Sequence, residues 1–251
     1  FIQEHQLPEE YSSTVEQWFA PLAEELLQDI SAHNGPYVIG ISGCQGSGKS
    51  TLAALLVLLM NQMLGLRCIN LSIDDFYLTH AERQSLASSV HPLLATRGVP
   101  GTHDMDLAIN TINALKTPGE VAVPRFDKAV DDREPQAQWP IVQAPMDVIV
   151  LEGWCLAIEA QPEESLIQAV NELEANEDPD SSWRRYVNTA MQDRYQTFNN
   201  LIDYLVMLKA PDFEKVYQWR QSQEEKLAEK FHRNGSVDSH QIMIPTELKR
   251  F

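Results

Sequence analysis

The chain has 251 residues, 36 of them Asp or Glu and 19 Lys or Arg, for a formal charge of −17. So acidic a surface repels phosphate backbones and anionic bilayers, which argues against nucleic-acid and membrane partners. The longest apolar run, Leu52 to Met60, is too short to span a bilayer, and the three cysteines, Cys44, Cys68 and Cys155, make no disulfide framework.

No basic leader or apolar signal core precedes the first acidic helix, so a cytoplasmic location is expected. Val15, Trp18, Phe19, Leu22, Leu26 and Ile30 recur at helical spacing with acids between them, which predicts an amphipathic helix over 14–30. Tyr37 to Ser42 reads as a buried strand and Gly43 to Gly48 as a glycine-rich turn. Ser50 to Leu64 reads as a helix closed by Gly65, and Leu66 to Ile73 as a second strand. That order implies a parallel βαβ unit. Thr79 to Pro100 is polar and reads as an irregular insertion. Asp104 to Leu115 follows as a helix, with Thr102 as its candidate cap.

Val121 to Val123, Asp147 to Leu151 and Tyr204 to Leu208 read as the remaining strands. Glu159 to Ser182 is an acidic insert with its loop expected at Asn176 to Asp180. Asp212 to Lys230 reads as a polar helix, and Pro245 to Phe251 as the start of another. The alternation predicts an α/β fold, a mainly parallel sheet with helices on both faces in three layers, expected as one domain over 1–251.

Gly43-Cys44-Gln45-Gly46-Ser47-Gly48-Lys49-Ser50 fits the phosphate-loop pattern G-x-x-x-x-G-K-[ST], between an apolar strand and an apolar helix. Glycines let successive N–H groups converge on phosphate oxygens at the positive end of the helix. Lys49 would reach the β and γ phosphates of ATP, and the Ser50 hydroxyl would coordinate Mg²⁺. Cys44 reads as a small residue tolerated in the turn.

Ligands of open α/β sheets bind beyond the carboxyl ends of the strands. Those ends carry Asp74 and Asp75, then Arg125, Glu152 and Lys209. Glu152 closes an apolar strand beside the phosphate loop and is the candidate carboxylate on the Mg²⁺ side. One of Asp74 and Asp75 is the candidate base for an alcohol proton; in an extended segment they would face opposite ways. His103 and Asp104 could hydrogen-bond a polyhydroxy acceptor. Arg97, Arg125 and Arg133 could fork a carboxylate or phosphate. Arg220 could close over the phosphates as a lid.

Together these segments resemble the phosphoribulokinase, uridine kinase and pantothenate kinase group of P-loop kinases, and within it the plant-type D-glycerate kinases and their bacterial relatives. The residues that carry the likeness are Gly43 to Thr51, Ser72 to Thr79, Arg97-Gly98, Gly101 to Asp104, Pro124 to Lys128, Trp139-Pro140, Glu152 to Trp154 and Val216 to Arg220. The resemblance implies a P-loop fold and ATP- and Mg²⁺-dependent phosphoryl transfer to a small alcohol, with D-glycerate as the acceptor. It implies Asp74 as base, Glu152 and Ser50 at the metal, and Arg220 with Lys49 as catalytic cations. Asp75, Tyr77, Arg97, His103, Asp104 and Arg125 would line the acceptor site. Uridine or pantothenate as acceptor, or a nucleotide-dependent switch or assembly ATPase, are the alternatives.

The charge is uneven. Residues 1–48 and 134–183 hold 18 of the 36 acids and no Lys or Arg. The near-neutral remainder carries most of the candidate site, so the global charge does not oppose nucleotide binding.

Overall fold

The computed structural model describes residues 1–5 and 7–222. The parts of the expected helix beyond residue 222, and the expected helix start at 245–251, lie outside the described residues.

The N-terminal helix starts earlier than its apolar pattern. It opens as α1 (Tyr11–Thr14), passes a π turn at Val15–Phe19 and continues as α2 (Ala20–Ala32). The chain then forms β1 (Tyr37–Gly43), α3 (Lys49–Leu64) and β2 (Cys68–Ser72), with Gly65 closing α3 in the left-handed region. A four-stranded parallel sheet has the order β2-β7-β1-β8, where β7 is Val148–Gly153 and β8 is Tyr204–Leu208.

Alternation along the strands divides two cores. Tyr37, Ile39, Ile41, Val148 and Val150 face α2 and α3, where Leu26, Leu52, Leu56 and Met60 are fully buried. Val38, Ile149 and Leu151 face the other side, against α5 (Met105–Leu115) and α8 (Arg194–Asn199). The result is the expected α/β arrangement of three layers. Among the described residues no helix is long and apolar enough to cross a membrane.

Several expectations need correction. The strand expected at Val121 to Val123 is β3 (Gly119–Ala122), and it does not join the parallel sheet. It pairs antiparallel with β6 (Ile141–Ala144), while β4 (Phe126–Asp127) and β5 (Asp132–Arg133) form a second small hairpin. A short apolar run shows that a strand exists, not which partner it finds. Thr79 to Pro100 is not irregular throughout: α4 (His80–Ser89) starts at a full capping box between Thr79 and Glu82. The acidic insert is not all loop. It contains a 3₁₀ turn (Glu163–Leu166) and α6 (Glu172–Glu177), and leads into α7 (Ser182–Gln192). Asp178, in the loop expected at Asn176 to Asp180, is fully buried against Arg184, at 3.0 Å. A final helix, α9, begins at residue 213 and runs to the last described residue.

Candidate active site

The sheet register sets the first part of the site. Glu152 sits opposite Ile41 of β1 and Ser72 of β2, so it emerges between the phosphate loop and the Asp74 turn. Gly43 ends β1, and Cys44, Gln45 and Ser47 form the turn with Gly46 and Gly48, both at positive φ (75° and 89°). An L side chain at either φ would strain the backbone. Lys49, Ser50 and Thr51 open α3. The Lys49 ammonium donates to the Cys44 carbonyl at 3.4 Å, and the Ser50 hydroxyl donates to Glu152 Oε1 at 3.0 Å. Ser47 Oγ and Glu152 Oε2 are buried and lack hydrogen-bond partners among the described residues. Burying such oxygens without partners costs about 1–3 kcal/mol each, a cost that a bound ligand supplying partners would relieve.

Asp74 and Asp75 lie in a 3₁₀ turn (Ile73–Phe76), not in an extended segment. Successive side chains of such a turn diverge by about 120°, so the two still separate. The Asp74 carboxylate accepts from the Lys128 ammonium at 2.6 Å. Burial pushes its pKa up, but the Lys128 ammonium, with Lys49 adding to it, more than reverses this and holds it below the usual carboxylate range. Asp75 turns to Arg125, at 3.2 Å, and accepts the Phe126 N–H at 3.2 Å. Burial, against the pull of Arg125, still raises its pKa. Lys49 is among the groups that lower the Asp74 pKa, which ties that carboxylate to the phosphate loop.

Tyr77 stacks on the His103 ring, centroids 4.2 Å apart, and meets Phe126 edge-on. Burial first, and Asp74 next, raise the Tyr77 phenol above its ordinary range. His103 is 5% exposed, and burial lowers its pKa to about 3 against the pull of Asp74, so the ring is neutral at pH 7.

Two other candidates are turned to structural partners. Asp104, not Thr102, caps α5 by accepting the Leu107 N–H at 2.9 Å, and it pairs with Arg133 at 3.1 Å. Thr102 instead donates to the Val99 carbonyl and accepts from Gly98 N–H. Arg97 pairs with Asp131, which also holds the fully buried Arg83 at 2.8 Å; both guanidiniums lie over the Phe126 ring. Arg220 lies on α9, beside Trp219, whose Cβ packs against Gly46.

Sequence reasoning assigned no role to Lys128, Asp131, Arg83 or Tyr195. Lys128 stood inside a quoted motif. The helix that carries Arg83 was announced by the Thr79–Glu82 capping box, whereas its partner Asp131 lies 48 residues away.

The phosphoribulokinase / uridine kinase family matches residues 38–224. An uncharacterized kinase of Schizosaccharomyces pombe, mug58, is 35% identical over 210 residues, 80% of this chain and 74% of its own. The chloroplastic D-glycerate 3-kinase of Arabidopsis thaliana is 35% identical over 197 residues, 74% of this chain but only 40% of its own length. A solved structure, D-glycerate 3-kinase from Cryptococcus neoformans, superposes with a TM-score of 0.75 at 27% identity, covering 92% of this chain and 83% of that one. With a phosphate loop, a facing carboxylate and a match over most of its length, the chain belongs to the phosphoribulokinase / uridine kinase family of kinases.

Proposed function

We propose that this kinase transfers the γ-phosphoryl group of ATP, with Mg²⁺, to a hydroxyl of D-glycerate. The observation that carries the reading is the placement of Asp74: a carboxylate kept ionised by Lys128, within the field of Lys49, beside the phosphate loop.

The residues present fit a nucleotide and its metal. The two glycines shape a backbone cradle; the unpartnered Ser47 hydroxyl could donate to a phosphate oxygen, and the unpartnered Glu152 Oε2 could accept from a metal-bound water. Ser50 and Glu152 would hold Mg²⁺, which needs only one or two protein groups when phosphates supply the rest. Bound there, the metal neutralises charge on the transferred group. Lys49 would add its charge to the same oxygens once it leaves the Cys44 carbonyl. Arg220 sits on the helix that touches the loop and would follow it as a lid.

Asp74 would take the alcohol proton. Burial is the strongest influence on its carboxyl. An acceptor that draws Lys128 onto its own carboxylate would therefore leave Asp74 more basic as the hydroxyl arrives. Arg125 and Lys128, which pair with Asp75 and Asp74, offer cations for such a carboxylate, whereas Arg97 is held by Asp131. The two relatives named D-glycerate 3-kinases support glycerate over uridine or pantothenate.

The test is a coupled assay of ADP release with D-glycerate, uridine, pantothenate and ribulose 5-phosphate. Stimulation by glycerate alone is expected. Stimulation by another acceptor would transfer the reading to it, and hydrolysis indifferent to all four would overturn the kinase reading in favour of a switch or assembly ATPase.

A further inference from the structure

We propose that Tyr195 is a positioning residue that fixes His103 as an Nε2–H donor for an oxygen of the acceptor substrate; this rests on the kinase reading above. Tyr195 comes from α8, which follows α7 beyond the acidic insert, and is 2% exposed.

Its hydroxyl makes two hydrogen bonds. It accepts the Gly101 N–H at 3.0 Å and lies 2.5 Å from His103 Nδ1. A phenol has one proton to give. Gly101 can only donate, so the phenol proton goes to Nδ1. The reverse arrangement, with Nδ1–H donating, would leave the phenol proton without an acceptor among the described residues. Both groups are neutral: burial raises the Tyr195 phenol well above its ordinary value and lowers the imidazole to about 3. The remaining imidazole proton therefore sits on Nε2.

His103 Nε2 is itself buried and has no hydrogen-bond partner among the described residues. The imidazole is 95% out of solvent and carries an unspent donor. The ring is stacked under Tyr77 and edge-on to Tyr195, so it cannot turn away cheaply. The titratable groups that act on it are Tyr77, Tyr195 and Asp74. Asp74, the proposed base, is the one that acts on the ring electrostatically. A fixed neutral N–H suits a hydroxyl or carboxylate oxygen and would not pair with a cationic group, so it selects for oxygen-rich acceptors. The same hydroxyl pins Gly101, whose φ of +94° puts any added Cβ 2.5 Å from the Tyr186 ring. One phenol thus sets both the loop and the tautomer.

The test uses the full chain and Tyr195→Phe, which keeps the ring and removes the hydroxyl. Side-chain ¹⁵N spectra of His103 in the parent should show a pyridine-like Nδ1 and a pyrrole-like Nε2, unchanged between pH 6 and 8. The variant should show a mixed or reversed pattern. In steady-state assays its KM for the acceptor should rise about tenfold, with the KM for ATP within twofold of the parent. A parent with Nδ1–H, or a variant whose tautomer changes while the acceptor KM does not, overturns the proposal. Equal rises in both KM values mark a purely structural role and overturn it too. A parent that phosphorylates no acceptor overturns the proposed function instead, and the ¹⁵N pattern then decides the tautomer by itself.

Discussion

Replacing Gly46 by alanine incurs two costs, whereas replacing Gly48 incurs one. Both residues have positive φ, which costs an L residue about 1–2 kcal/mol. A Cβ at Gly48 meets nothing within 4 Å, so that strain is the whole cost. A Cβ at Gly46 would stand 2.6 Å from Trp219 Cβ and 3.1 Å from its carbonyl carbon, where ordinary contact begins near 3.4 Å. These atoms are fixed to the backbone of α9, so the helix itself must shift. Overpacking of that kind adds about 1–3 kcal/mol. At about 1.4 kcal/mol per tenfold, Gly48→Ala should weaken ATP about tenfold and Gly46→Ala a hundredfold or more. Calorimetric ATP titration with parallel thermal melts reads the loss whether it appears in affinity or in stability. Equal summed losses for the two variants would refute the argument, because Trp219 would then not be a wall against the loop.

Asp74→Asn should lower kcat by about 10²–10⁴ while the ATP dissociation constant stays put; turnover that persists would remove Asp74 from the role of base. Asp178→Ala should cost about 3 kcal/mol in urea melts, since it removes the fully buried carboxylate 3.0 Å from the Arg184 guanidinium and leaves that charge to carbonyls, Ser181 Oγ and Glu174 at 3.8 Å, with turnover of the folded fraction intact. A loss below about 1 kcal/mol would show that the guanidinium finds solvent. His103 makes stability pH-dependent. Its folded pKa is depressed to about 3 from 6.5, so stability is fully present above pH 6.5 and is lost as pH falls toward 3. Melts of His103→Gln across that window should fall less steeply with pH; parallel curves would mean that the imidazole is charged in the native state.

Apolar periodicity made β1, α3, β7 and β8 legible, because each buries side chains at a regular spacing. The phosphate loop was legible because its chemistry needs residues in a fixed order. Both signals are local. What stayed hidden was either polar or distant. The buried residues of α7 include Arg184 and Asn188, four apart, a helical spacing written in side chains that a hydrophobic pattern ignores. The partner of β3 depended on a strand some twenty residues away. Asp104 was read toward a ligand, yet its first position before a helix was the stronger signal, and it caps α5. The Tyr195 to His103 contact spans 92 residues, and no spacing rule reaches that far.

The parallel register carries a consequence for how such a chain can change over time. Glu152 is indexed on both sides, to Ile41 and to Ser72, and a one-residue slip of β7 would send it to the opposite face of the sheet. It would also exchange the residues of the two cores, because Val148 and Val150 serve one and Ile149 and Leu151 the other. Length changes inside the strands are therefore forbidden twice over. The acidic insert pairs with no strand of the sheet; it is held instead at Gln161 by Asn188 and at Leu166 and Asp178 by Arg184, so a change of length between those anchors leaves Glu152 where it is. Variation among descendants of this chain is accordingly expected to accumulate in the exposed stretches of the acidic insert between those anchors, which can acquire new surfaces beside chemistry that stays in place.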